Sequence, residues 1–132
     1  MSTLTDSVAS ITSLARLACS NNSIHALPDD LASNQPLLAE VLASGNQIEQ
    51  LPSGFANARA LKKLIMAGNR LHELHSKTLS GMTNLIELDV SENNLQGCLS
   101  EGIGSLVALK VLNIKQNRLE VRIYHSTQHL VQ

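Results

Sequence analysis

Five asparagines, Asn22, Asn46, Asn69, Asn93 and Asn117, stand 24, 23, 24 and 24 residues apart along the chain. Around each lies one template, L-x-x-L-x-φ-x-x-N-x-φ, in which φ is apolar. Its apolar slots hold Leu14, Leu17, Cys19 and Ile24 in the first copy and Leu38, Val41, Ala43 and Ile48 in the second. The third copy supplies Leu61, Leu64, Met66 and Leu71, and the fourth Leu85, Leu88, Val90 and Leu95. The fifth has Leu109, Leu112, Ile114 and Leu119. Every apolar slot is filled and every polar slot is Asn. A unit this short cannot bury an apolar face alone, so consecutive copies must stack and share one core.

Within each template the φ-x-φ centre, such as Leu64-Ile65-Met66, has the period of two expected of a strand. Equivalent strands one copy apart are joined by crossovers of roughly 20 residues, which forces parallel stacking at about 4.8 Å. The chain must then turn away from the sheet, leaving backbone groups without ladder partners. Each buried group left unpaired costs about 1–3 kcal/mol. An Asn side chain carries a donor and an acceptor on a short stem, so it can bond its own turn and a neighbouring one. The five amides are therefore expected to form a structural ladder.

These residues resemble the leucine-rich repeat family from about Val8 to Leu119. The stretches "IHALPDDL" and "IEQLPSGF", through Leu27-Pro28 and Leu51-Pro52, look like the short cytosolic type of repeat. The fourth copy departs: "NNLQGCLSEGIGSLVAL" is similar to plant-type spacing, with Leu99-Ser100 where Ile-Pro is usual. The third copy has His75 in place of the Pro. The resemblance implies a right-handed curved α/β solenoid, with about five parallel strands on the concave face and irregular or 3-10 turns on the convex face. Leu27, Leu51, Leu74 and Cys98 are expected in one interior column. Leu31, Phe55, Leu79, Met82, Ile103 and Leu106 are expected to fill the convex side.

The ends bear on domain limits. Val8, Ile11 and Leu14 repeat the spacing of Leu79, Met82 and Leu85, so a repeat domain over residues 1–119 opens in mid-repeat. "EVRIYHSTQHLVQ" fits no sixth template, and residues 120–132 read as a tail that is either a partial cap or disordered. Terminal repeats normally need a polar cap. Uncapped ends raise the alternative of a homo-oligomer formed through them.

Composition narrows function mainly by exclusion. At 132 residues the chain fits one domain, and 43% apolar residues suffice for a core. A net charge of −1 offers no field to draw nucleic acid or an anionic membrane. Phe55 and Tyr124 are the only aromatics, so stacking platforms for bases are absent. No basic leader with an apolar run opens the chain, and no stretch approaches the ~18 apolar residues of a membrane span. Two cysteines are too few for a disulfide scaffold. The expected location is cytoplasmic, and the Asn21-Asn22-Ser23 sequon reads as incidental.

Nothing in the chain assembles as a catalyst. His72-Glu73-Leu74-His75 lacks the H-E-x-x-H spacing that sets two His on one helix face. His125 and His129 are four apart but lie in the tail. Cys19 and Cys98 sit three copies apart, about 15 Å at strand spacing, whereas a disulfide needs Cα atoms within ~7 Å. Gly102-Ile103-Gly104 has no phosphate-loop context, its Ile falling on a core column. The reading is a protein that is not an enzyme and uses no metal and no cofactor.

What remains is the concave face, which in the resembled family commonly contacts partners. Its outward columns read Arg16, Glu40, Lys63, Glu87, Val111, then Ala18, Leu42, Ile65, Asp89, Asn113, then Ser20, Ser44, Ala67, Ser91, Lys115. Leu42 and Ile65 are neighbouring large apolar groups beside small residues, the anatomy of a modest interface. Arg16, Glu40, Lys63 and Glu87 alternate in sign and can pair laterally. The expectation is a non-catalytic protein-binding module centred on Leu42 and Ile65. Arg16, Glu40, Lys63, Glu87, Asp89, Val111 and Asn113 complete the face. The alternatives are a targeting or regulatory segment of a larger ligase, kinase or cytoskeletal scaffold, or a self-associating structural protein.

Overall fold

The computed structural model describes residues 13–97 and 101–120. Strands β1 (Arg16–Ala18), β2 (Glu40–Leu42), β3 (Lys63–Ile65), β4 (Glu87–Asp89) and β6 (Val111–Asn113) form one parallel sheet in that order. A separate parallel pair joins β5 (Gln96–Gly97) to β7 (Arg118–Leu119). The register follows the templates: Leu17, Val41, Leu64, Leu88 and Leu112 lie side by side across the sheet.

Each strand begins one residue ahead of the φ-x-φ centre. The reason is a backbone fork that recurs from the second copy to the fifth. The N–H groups of Ala39 and Glu40 both donate to the Ala15 carbonyl, at 2.8 and 3.1 Å. Lys62 and Lys63 do the same to Ala39, Ile86 and Glu87 to Lys62, and Lys110 and Val111 to Ile86. The fork locks the start of the strand to the preceding copy, so pairing is already in place before the second apolar residue.

Apolar slots of the middle copies are fully buried, including Val41, Leu64, Met66, Leu88 and Val90. Burying such a side chain contributes about 1.5–3 kcal/mol, so the stacked columns dominate stability. Leu14, Leu17, Ile114 and Leu119 are only partly buried, because the outermost copies have a described neighbour on one side only. The interior column holds Leu27, Leu51 and Leu74, all buried. Cys98, Leu99 and Ser100 lie outside the described residues, as do Val8, Ile11, His125, His129 and the tail from residue 121.

The convex side is a row of short turns: α1 (Leu31–Asn34), a 3-10 turn at Ser53–Asn57, α2 (Ser76–Ser80) and a 3-10 turn at Glu101–Ser105. Two of the four are thus short α-helices rather than the irregular or 3-10 turns expected. Four-residue bonds, Asn34 N–H to Asp30 and Leu79 N–H to His75, close them. Leu31, Phe55, Leu79, Met82, Ile103 and Leu106 point into the core and are buried. Successive turns pack so closely that a Cβ on Gly81 would run into the backbone of Ala56.

The asparagine amides tie sheet to turns. Asn69 Nδ2 donates to Ala43 O of the preceding copy at 2.9 Å and to Met66 O of its own at 3.0 Å. Its Oδ1 accepts the Ile48 N–H at 3.0 Å. Asn46, Asn93 and Asn117 repeat this pattern on Cys19, Met66 and Val90, accepting from Ile24, Leu71 and Leu95. Asn22, in the first copy, bonds only Cys19 and Ser20 carbonyls through Nδ2 and is exposed.

The residue before each ladder Asn has positive φ: Asn21 at 58°, Gly45 at 69°, Gly68 at 68°, Glu92 at 54° and Gln116 at 57°. This left-handed step swings the amide back under the strand. Two of the five are glycine, for which it carries no steric cost, while Glu92 and Gln116 hold it under strain.

Candidate interaction face

Strand alternation decides what the concave face presents. In β2, β3 and β4 the central residue is buried, while the flanking residues are half-buried. Glu40, Lys63 and Glu87 thereby fall in one outward row with Arg16 and Val111, and Leu42, Ile65 and Asp89 in another with Ala18 and Asn113.

The charged row pairs in twos. Arg16 Nε lies 3.9 Å from Glu40 Oε1, and Lys63 Nζ lies 3.7 Å from Glu87 Oε1. Both pairs are open to water, so each contributes about 0–1 kcal/mol. They leave this row nearly neutral in sum. Asp89 Oδ1 accepts from Ser91 N–H at 3.0 Å and from Ser91 Oγ at 2.6 Å, so this oxygen serves the turn after β4. Asn113 Oδ1 accepts the Lys115 N–H at 3.1 Å. Both side chains face outward yet hold their own turns.

Leu42 and Ile65 lie opposite each other in register and are half-buried, so the apolar centre is shallower than the sequence pattern implies. More apolar surface is open at the other end, where Ile86 is 38% and Val111 46% exposed. Ile86 was missed because it occupies the slot directly after the first leucine of the template. That column reads Ala15, Ala39, Lys62, Ile86, Lys110, and the backbone fork brings it alongside the strand row.

Away from this face, a convex groove of about 340 Å³ runs between α1 and the 3-10 turn, lined by Ala32, Gln35, Leu38, Ala58 and Arg59 among others. It exists because Ala58 stands where the next two copies carry Met82 and Leu106. Gln35, in the same slot, is buried and accepts the Leu14 N–H at 3.1 Å, a second structural amide that no spacing announces.

His72 and His75 are exposed, and His75 Nε2 lies 3.4 Å from Glu73 Oε1. Among the described residues no three His, Cys, Asp or Glu side chains gather as a metal set. Cys19 is buried, and desolvation pushes its thiol above the ordinary range. No helix among the described residues is long and apolar enough to cross a membrane.

Residues 59–119 match the family model described as leucine rich repeat. No curated protein sequence matches the chain. Among solved structures, a leucine-rich repeat protein of Leptospira interrogans aligns with a TM-score of 0.89 at 21% identity, covering 98% of this chain and 32% of that one. A chain of the Toll–Spatzle complex of Drosophila aligns at 0.80 and 24% identity, over 90% of this chain and 17% of that one. An internalin of Listeria monocytogenes aligns at 0.67 and 20% identity, over 89% of this chain and 39% of that one. The chain therefore spans well under half the length of each of these structures, and the likeness concerns the fold.

Proposed function

We propose, from the premise that the chain is a leucine-rich repeat protein, that it is a non-catalytic module binding a protein partner on its concave face. The leucine-rich repeat fold commonly mediates protein–protein interaction. One observation carries the assignment to this face: Leu42 and Ile65 sit side by side in register, in the row next to the charge pairs Arg16–Glu40 and Lys63–Glu87. An apolar centre with a polar rim is the arrangement that excludes water on docking and fixes orientation. We take residues 1–119 as the repeat domain and 120–132 as a tail outside it.

The test is capture of the partner with the intact chain and with Leu42→Asp or Ile65→Asp. Both variants are expected to lose the partner while the far-UV spectrum is unchanged. Full retention by both would refute the assignment.

A second reading, association of copies, is favoured by the outer edges of β1 and β6, which nothing among the described residues pairs. Open edges are templates for further strands. Sedimentation of the pure protein separates the readings: a monomer across concentrations removes self-association.

A further inference from the structure

The rim around Ile86 differs from the rest of the concave face in its charge. Lys62, Ile86 and Lys110 occupy one column on three successive copies. The Ile86 N–H donates to Lys62 O, and the Lys110 N–H donates to Ile86 O, both at 2.8 Å. The two lysines therefore bracket Ile86, with their backbones about 10 Å apart at two strand spacings. Val111 adjoins, because its N–H shares the Ile86 carbonyl with Lys110. All four side chains are exposed.

Lys63, one residue from Lys62, is paired with Glu87. Lys62 and Lys110 make no ion pair within 4.0 Å with any described residue. Neutralised pairs have little reach through salt water, where fields fade over about 8 Å. The local field at this rim is therefore set by the two unpaired lysines. Large apolar side chains held open between unopposed cations complement one chemistry: an apolar anchor flanked by carboxylates.

We propose that the partner is a protein bearing an acidic segment, and that this segment docks at the rim formed by Lys62, Ile86, Lys110 and Val111. Its apolar side chain rests on Ile86 and Val111 while its carboxylates meet the two lysines. The inference rests on the concave-face reading and supplies the partner's chemistry.

A random peptide library displayed on phage and selected on the full chain tests it. The recovered peptides are expected to carry acidic residues on both sides of a Leu, Ile, Val or Phe. A resynthesised peptide of this set is expected to bind more weakly as salt rises. It is expected to lose roughly tenfold or more with Lys62→Glu/Lys110→Glu, and a comparable factor with Ile86→Asp. These residues are exposed, so melting temperatures near the wild type verify folding. Selection on the lysine double variant is expected to turn toward basic peptides.

Recovery of uncharged or basic peptides on the wild type, the same set on the double variant, or no enrichment at all would overturn the inference. The two proposals fail separately. Peptides of any charge that depend on Leu42 and Ile65 but ignore Lys62 and Lys110 leave the concave face standing and remove the acidic segment.

Discussion

At the scale of single residues, the repeated Asn shows how a polar group can be indispensable without being functional. Asn69 is 7% exposed and links two turns to the sheet. Asn69→Ala would strand the Ile48 N–H and leave the Ala43 and Met66 carbonyls with one amide donor each, from Asn46 and Asn93, at a cost of about 1–3 kcal/mol in urea unfolding. Asn22→Ala, at an exposed position whose side chain bonds the carbonyls of its own copy, is expected to cost less than about 1 kcal/mol. The ladder was legible because its period is rigid and its chemistry leaves few substitutes for Asn. The left-handed step before it was not. Gly45 and Gly68 hint at it, but Glu92 and Gln116 carry no turn signature, and the fold holds them there against preference. A matched pair of variants checks this. Gly68→Ala, where a Cβ meets nothing nearer than 3.6 Å, is expected to destabilise by about 1 kcal/mol through backbone strain alone. Glu92→Gly is expected to gain up to about 1 kcal/mol by relieving it. A Gly68→Ala variant as stable as the wild type together with a Glu92→Gly variant that gains nothing would show that the strain is carried elsewhere.

At the scale of elements, period two and the spacing of leucines specified five parallel strands, and the structure contains them in register. Their starts were displaced by one residue, because the backbone fork onto the preceding copy is a between-copy bond invisible to within-copy periodicity. The β5–β7 pair was likewise unforeseen. Copies two to five each donate a bond along this flank, from the N–H groups of Gln47, Arg70, Asn94 and Arg118 to the carbonyls of Ile24, Ile48, Leu71 and Leu95. Among the described residues a second follows only at the last step, from Glu120 N–H to Gly97 O at 2.6 Å. The convex turns depend on contact between backbones. Gly81→Ala would drive a methyl group into Ala56, and an expected loss of about 1–3 kcal/mol, read as a lower melting temperature, checks how closely these turns stack.

At the scale of the whole molecule, stacking one unit five times yields a continuous core and one broad, regular face. The repeat made the core legible, since every copy must satisfy the same burial. The face was legible only as a location. Its positions vary from copy to copy, so no internal pattern ranks them, and exposure had to be seen before Ile86 could be set beside Leu42 and Ile65. Hydroxyl-radical footprinting, with and without the captured partner, reads side-chain cover across this surface in a single measurement. Leu42 and Ile65 are expected to lose most of their labelling in the complex. Leu37, 59% exposed in the turn between α1 and β2, is expected to keep its own. Protection of Leu37 with Leu42 and Ile65 unchanged would contradict a partner seated on the concave face.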